Sequence, residues 1–233
     1  MEIREAKVVI TGATGGIGYE IAKTLKNFGA QVVISGRDAD KVLKCANELG
    51  VHGIKADVGI EQDVEDLFAF ALSKMTSINV LINNAGVGTF SSLVDTPLEE
   101  FQKMWEVNVR GCFLAGKHAA KIFIDRNYGN IINIGSTASL RGYANGSGYV
   151  SSKFAVSGLT ECWRAELRPH NVRVMQINPS EVITEFISKA GMSVENEEHK
   201  LKPGHIAKVA VSMLSLDDVA FIPDASVWAT NPW

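Results

Sequence analysis

Tyr149-Val150-Ser151-Ser152-Lys153 carries a phenol and an ammonium four residues apart, a spacing that puts both on one face of a helix, one turn from each other. An unperturbed tyrosine titrates near pH ~10 and is a poor proton donor or acceptor at neutrality. A neighbouring ammonium favours the phenolate, lowers that pKa and makes Tyr149 a candidate general acid/base. Thirteen residues upstream, Ser136 follows the apolar run Ile131-Ile132-Asn133-Ile134, which reads as a buried strand. A hydroxyl there can hold a carbonyl oxygen while Tyr149 protonates it. Taken alone, Tyr-x-x-x-Lys is more often an ordinary exposed helix face, so the rest of the chain decides.

Those groups need a frame. Short apolar runs predict strands over residues 8–10, 31–35, 51–56, 80–82, 131–134, 172–177 and 226–229. Amphipathic segments predict helices over 16–27, 38–49 with Asp38 as cap, 61–74, 98–126, 149–167 and 203–214. Strands apolar on both faces that alternate with helices predict an α/β fold, a doubly wound parallel sheet with helices on both faces. No repeat or linker interrupts the pattern, so residues 1–233 read as a single domain. Residues 183–202 break it: they are long, polar and weakly patterned, with an acidic patch at Glu195, Glu197 and Glu198. A segment of that kind predicts a substrate loop, in which Phe186, Ile187 and Met192 offer apolar contact.

Between the first strand and the first helix lies Thr11-Gly12-Ala13-Thr14-Gly15-Gly16-Ile17-Gly18. Glycines there let the backbone turn tightly and approach a pyrophosphate, which the helix N-terminus stabilises. The spacing of Gly12, Gly16 and Gly18 makes a slightly longer turn than Gly-x-Gly-x-x-Gly, and a plain strand-to-helix turn is the competing reading. Its place after the very first strand favours a dinucleotide. At the end of the second strand a carboxylate would bind the ribose 2′-hydroxyl of NAD. This chain has Ser35-Gly36-Arg37, which leaves room and charge for the 2′-phosphate of NADP, or else a solvent-exposed Arg37 in a turn. Asp57-Val58 follows the third strand where an adenine can be hydrogen-bonded; a helix cap is equally compatible. Asn83-Asn84-Ala85-Gly86 closes the fourth strand at the same carboxyl edge.

Taken together, Thr11-Gly-x-x-x-Gly-x-Gly18, Asn83-Asn-Ala-Gly86, Asn108, Ser136 and Tyr149-x-x-x-Lys153 resemble the short-chain dehydrogenases/reductases in order and spacing, over nearly the whole chain. The resemblance implies a Rossmann-type fold and an NADP(H)-dependent oxidoreductase acting on a carbonyl or secondary alcohol. It implies that Tyr149 is the acid/base and that Ser136 positions the carbonyl. Lys153 would bind the nicotinamide ribose and lower the Tyr149 pKa, and Asn108 would hold a water linking Lys153 to solvent. Val182 and Thr184 occupy positions that contact the carboxamide and phosphate. The family's Pro-Gly turn stands here as Asn178-Pro179-Ser180, which puts the local path beside the nicotinamide in question, since Ser demands more ordinary backbone geometry than Gly. Ile131-Ile-Asn-Ile-Gly-Ser136 is most similar to 3-oxoacyl-acyl-carrier-protein reductases, which implies a place in fatty acid biosynthesis; reductases of other small ketones or aldehydes look alike at this level. The competing class is a regulator that senses NADP(H) without turnover, which would not need all four catalytic positions.

Composition bounds the partners. A net charge of −3, with 23 basic and 26 acidic residues, excludes a strongly basic nucleic-acid surface, and no apolar run reaches membrane-spanning length. Cys45, Cys112 and Cys162 fit no metal spacing, the five histidines are dispersed, and a reduced, cytoplasmic setting is expected with no metal. The helices over 98–126 and 149–167 carry Trp105, Phe113, Leu114, Phe123, Leu159 and Trp163, more apolar surface than one sheet face covers. A homo-dimer or homo-tetramer is therefore expected. If an acyl carrier protein delivers the substrate, Arg126, Arg168 and His170 are the candidate basic patch for it.

Overall fold

Strands with apolar side chains on both faces must be covered twice, and the sheet is. In the computed structural model, residues 1–191 and 196–233 are described. Among them β1 (Lys7–Ile10), β2 (Gln31–Gly36), β3 (His52–Lys55), β4 (Val80–Asn83), β5 (Gly129–Ile134), β6 (Val172–Pro179) and β7 (Asp224–Val227) form one sheet in the order β3-β2-β1-β4-β5-β6-β7. Every pairing is parallel. The helices are α1 (Gly16–Asn27), α2 (Ala39–Leu49), α3 (Glu61–Met75), α4 (Leu98–Met104), α5 (Gly111–Arg126), α6 (Ser147–Leu167), α7 (Glu185–Lys189) and α8 (Pro203–Ser215). One core lies under α1 and α8, built on Ile21, Leu25, Ile206 and Met213; the other lies under α3, α5 and α6, built on Leu67, Phe123, Trp163 and Val174.

The order in which strands are added reverses between β1 and β4, and ligands of such sheets bind outside the strand carboxyl ends at that switch point. The glycine turn after β1 and the Asn84–Gly86 segment after β4 flank it. Asp38 caps α2, its Oδ1 accepting from the Lys41 N–H at 3.1 Å. By contrast α1 starts behind Gly15 with no side chain capping it, so its first N–H groups are not consumed by a cap.

Two features depart from the reading of the sequence. The helix expected over 98–126 contains a π-helical segment, Trp105–Arg110, between α4 and α5; such bulges are frequent at functional sites. Nor are the strands wholly apolar. Asn83 and Asn133 are paired neighbours on β4 and β5, and Asn83 Nδ2 donates to Asn133 Oδ1 at 2.9 Å. Asn133 Nδ2 in turn donates to Thr160 Oγ1 of α6 at 2.8 Å, so these buried amides are satisfied.

The loop over 183–202 holds α7 and a short turn at Glu197–His199, and Val182 bridges to Leu201 across its base. Met192 and Glu195 lie outside the described residues. Arg126 ends α5 just before β5, while Arg168 and His170 precede β6. All three therefore sit at the amino edge of a parallel sheet, about 17 Å or more from its carboxyl edge at ~3.3 Å per strand residue. That is a correction: they form no patch near Ser136 and Tyr149. No helix among the described residues is long and apolar enough to cross a membrane.

Candidate active site

Thr11, the first residue past β1, joins the two halves of the cofactor cradle. Its Oγ1 accepts from the N–H groups of Asn84 (3.1 Å) and Ala85 (3.2 Å), and Asn84 Nδ2 donates to the carbonyls of Thr11 (3.1 Å) and Gly12 (2.8 Å). Gly12 has φ +63°, and a Cβ there would come within 2.6 Å of Ala85 Cα, so backbone conformation and close approach both require glycine. Gly16, at φ +56°, faces Thr184, whose Cγ2 would lie 3.1 Å from an added Cβ. The segment after β6 thus reaches the glycine turn at Gly16. Gly18 packs on the Asn84 amide, where a Cβ would clash at 2.4 Å.

The residues expected at the adenosine end lie at the carboxyl ends of β2 and β3. Thr14 rests on Gly36, with a Cβ at Gly36 only 2.7 Å from Thr14 Cγ2. Arg37 follows at the surface, and Gly36 pairs with Lys55 on β3. Asp57 works as a turn cap, since its Oδ1 accepts from the Gly59 N–H at 2.9 Å. Val58 is buried against Gly111 at the start of α5, which leaves its backbone rather than its side chain for a ligand.

Ser136, Tyr149, Lys153 and Asn108 come together at the carboxyl ends of β4 and β5. Ser136 opens a short turn, Thr137–Ser139, in which its Oγ accepts from the Ala138 N–H at 3.1 Å and its own N–H donates to Ser139 Oγ at 3.2 Å. Tyr149 is only 8% exposed. Burial pushes its phenol above the ordinary tyrosine value, and its hydrogen bond with the Ser136 side chain pulls the other way. Lys153 Nζ lies 5.7 Å from the centre of the Tyr149 ring and donates to the Ile134 carbonyl at 2.9 Å. Burial brings the ammonium down to about 8. The expected depression of the Tyr149 pKa by Lys153 is therefore not what this geometry produces: removal of the phenolate from water raises it, and the Lys153 ammonium is itself buried and bonded to the Ile134 carbonyl.

Asn108 sits within the π-helical segment and holds the chain after β4. Its Oδ1 accepts from the Val87 N–H at 2.8 Å, and its Nδ2 donates to the Val87 carbonyl at 2.9 Å and to Ser152 Oγ at 2.9 Å. The side chain is thus committed to protein partners. Behind it, Thr11, Asn83, Asn108, Cys112 and Lys153 help line a cavity of about 10 Å³, close to the size of one water molecule. Pro179 ends β6 beside Val227, and the Ser180 N–H donates to the Val227 carbonyl at 2.8 Å. Ser180 has no positive φ, so Ser in place of Gly is met by simple continuation of strand pairing. Val182 is buried at the base of the loop.

The wall beside Tyr149 joins Phe186, expected from the sequence as an apolar contact, to Phe90, which sequence reasoning did not single out. Phe90 stands edge-on to the Tyr149 ring at 5.4 Å between centroids, and Phe186 of α7 lies 5.7 Å from it on a tilted plane. Gly88 leaves room for Phe186 and Tyr149 to meet, because a Cβ there would come within 2.7 Å of Phe186 Cζ and 3.0 Å of Tyr149 Cδ2. For Phe90 the one signal was its place just past Asn83-Asn84-Ala85-Gly86. The histidines are not all isolated either. His118, Glu61 and Glu65 each bring a ligand-type atom within 4.8 Å of one another, with Glu61 also paired to Lys117 at 3.0 Å.

The uncapped start of α1, the positive-φ glycines and the Gly86 backbone beside Lys153 suit a dinucleotide: each leaves backbone N–H groups or space where a side chain would intrude. Comparison with known proteins agrees. A sequence profile described as short chain dehydrogenase matches residues 6–194. The chain is 35% identical over 182 residues to (+)-borneol dehydrogenase 2 of Salvia officinalis, covering 76% of this chain and 64% of that protein. An alcohol dehydrogenase from Thermococcus sibiricus, solved with 5-hydroxy-NADP, superposes with a TM-score of 0.88 at 30% identity, covering 97% of each chain. A 3-ketoacyl-(acyl-carrier-protein) reductase from Brucella melitensis, solved with NADH, superposes with a TM-score of 0.90 at 28% identity, covering 96% of each chain.

Proposed function

Because the chain belongs to the short-chain dehydrogenase family, we propose that it is an NADP(H)-dependent oxidoreductase interconverting a ketone and a secondary alcohol. The observation that carries this reading is the convergence of Ser136, Tyr149 and Lys153 beside a glycine cradle at the switch point. When bound, the nicotinamide would supply or accept the hydride. The chain supplies the rest. Gly12, Thr14, Gly16, Ile17 and Gly18 would hold the pyrophosphate, and Asn84, Ala85, Gly86, Pro179, Val182 and Thr184 would line the nicotinamide half. Asp57 and Val58 would meet the adenine. Ser136 would hold the carbonyl oxygen, and Tyr149, which burial keeps protonated, would hold the proton at its hydroxyl for that oxygen. Lys153 would place its ammonium by the ribose and beneath the phenol.

NADP(H) is preferred because Arg37 stands exposed where a ribose-binding carboxylate would otherwise lie, behind a glycine that gives a phosphate room. Known structures similar to this one hold either coenzyme type, so this preference rests on Arg37. A 3-oxoacyl thioester is a second substrate reading, supported by the likeness to the Brucella reductase. A carrier protein delivering it would have to dock elsewhere than on Arg126, Arg168 and His170.

The chain would act as a homo-oligomer. Leu114, Phe123 and Trp163 enter its own core, but Trp105 and Phe113 remain 37% and 44% exposed. With Val109 and Leu159 they line an apolar groove of about 390 Å³ on α5, α6 and the π-helical segment, suited to a second copy. The test of the proposed function is NADPH oxidation by the purified protein against a panel of ketones and 3-oxoacyl thioesters. Consumption tied to alcohol product supports it, and NADPH binding without turnover of any carbonyl would identify a sensor instead.

A further inference from the structure

Resting on the oxidoreductase reading, we propose that the substrate side of this site selects a neutral, apolar ketone whose body packs against Phe90 and Phe186, and that it rejects substrates carrying a carboxylate. The two phenylalanines flank Tyr149, and Tyr143 extends the wall at 6.4 Å from Phe90. Met104, Ala138, Val87 and Val150 pack into the same cluster. The one hydroxyl between Phe90 and Gly88, that of Thr89, is turned onto the Met104 sulfur at 3.8 Å.

Among the described side chains, three cations that could serve an anion have partners of their own. Lys153 donates to the Ile134 carbonyl, Lys200 pairs with Glu181 at 2.7 Å, and the Arg141 guanidinium lies over the Trp228 ring at 5.4 Å. An anionic substrate would lose its hydration against aromatic faces with no counter-ion among the described residues of the cluster. An apolar body loses nothing there and gains dispersion contact with the phenylalanine rings. Ser136 and Tyr149 remain the polar pair for the reacting oxygen. Selection is thus made by the wall and not by the catalytic groups.

The experiment compares two ring ketones of similar size with the full chain and NADPH: methylcyclohexanone and oxocyclohexanecarboxylate. The methyl ketone should be favoured in kcat/KM by at least about 100-fold. Phe186→Lys should shrink that ratio at least about tenfold, mainly by lowering KM for the carboxylate. Comparable kcat/KM values for the two ketones in the unmodified enzyme would overturn the proposal without any variant. Reduction of an open-chain 3-oxo carboxylate but of neither ring ketone would also overturn it, while leaving the oxidoreductase reading intact. No turnover of any carbonyl would remove both.

Discussion

The side-chain amide of Asn108 donates to Ser152 Oγ at 2.9 Å, and that hydroxyl donates to the Tyr149 carbonyl at 2.7 Å. One hydroxyl therefore ties the π-helical segment to the helix that carries the acid/base. Asn108→Ala should leave both Val87 groups and the Ser152 hydroxyl short of a partner and cost roughly 2–4 kcal/mol of stability. Ser152→Ala, which removes a single relay, should cost about 1 kcal/mol. Denaturant melts of the two variants check this; equal losses would show that the clamp on Val87 contributes nothing of its own.

Coenzyme choice should follow Arg37. Arg37→Ala is expected to weaken NADPH by about 1.5–3 kcal/mol through loss of a charge-assisted phosphate contact, while leaving NADH nearly unchanged. Calorimetric titration with both coenzymes decides it. Equal affinities in the unmodified protein would count against the preference.

Tyr149→Phe keeps the ring between Phe90 and Phe186 and deletes only the hydroxyl. Coenzyme binding should persist and turnover should fall at least ~100-fold. Near-normal turnover in that variant would exclude Tyr149 as the acid/base. Lys153→Met should impair binding and turnover together.

Lys153 also leaves a signature in the coenzyme-free protein. Its ammonium titrates at about 8 when folded, against ~10.4 in an unfolded chain. Between those values the unfolded chain binds the extra proton, so this group's contribution to stability rises with pH through that window. Below it, the folded state bears the full cost of a buried charge. The stability difference between unmodified protein and Lys153→Met should therefore move in favour of the unmodified protein from about pH 8 to pH 10. A flat difference across that range would show that the amine is not buried as a charge.

Assembly through the apolar groove predicts a mass above that of one chain by light scattering at micromolar concentration. Trp105→Glu should shift it to the monomer, since a charge placed in the groove would be desolvated by a second copy. A monomer before any substitution would refute the interface.

Much of this protein is local, and local features are written directly in the sequence. Alternating apolar runs and amphipathic stretches announced the doubly wound sheet, because burial on two faces dictates them residue by residue. The glycines at 12 and 16 marked their turn because only glycine adopts those positive φ values without strain. The spacing of Tyr149 and Lys153 followed from helical geometry alone. What the chain order could not reveal depends on residues far apart in it. Thr11 reaches Asn84 and Ala85 across more than seventy residues, and Phe90 and Phe186 meet only on the two sides of Tyr149. The edge of the sheet occupied by Arg126 and Arg168 is a matter of strand direction, not composition. The direction of the Tyr149 shift is the clearest case. Sequence places an ammonium one turn away, which argues downward; only packing determines how completely water is removed from the phenol, and that desolvation sets the upward direction.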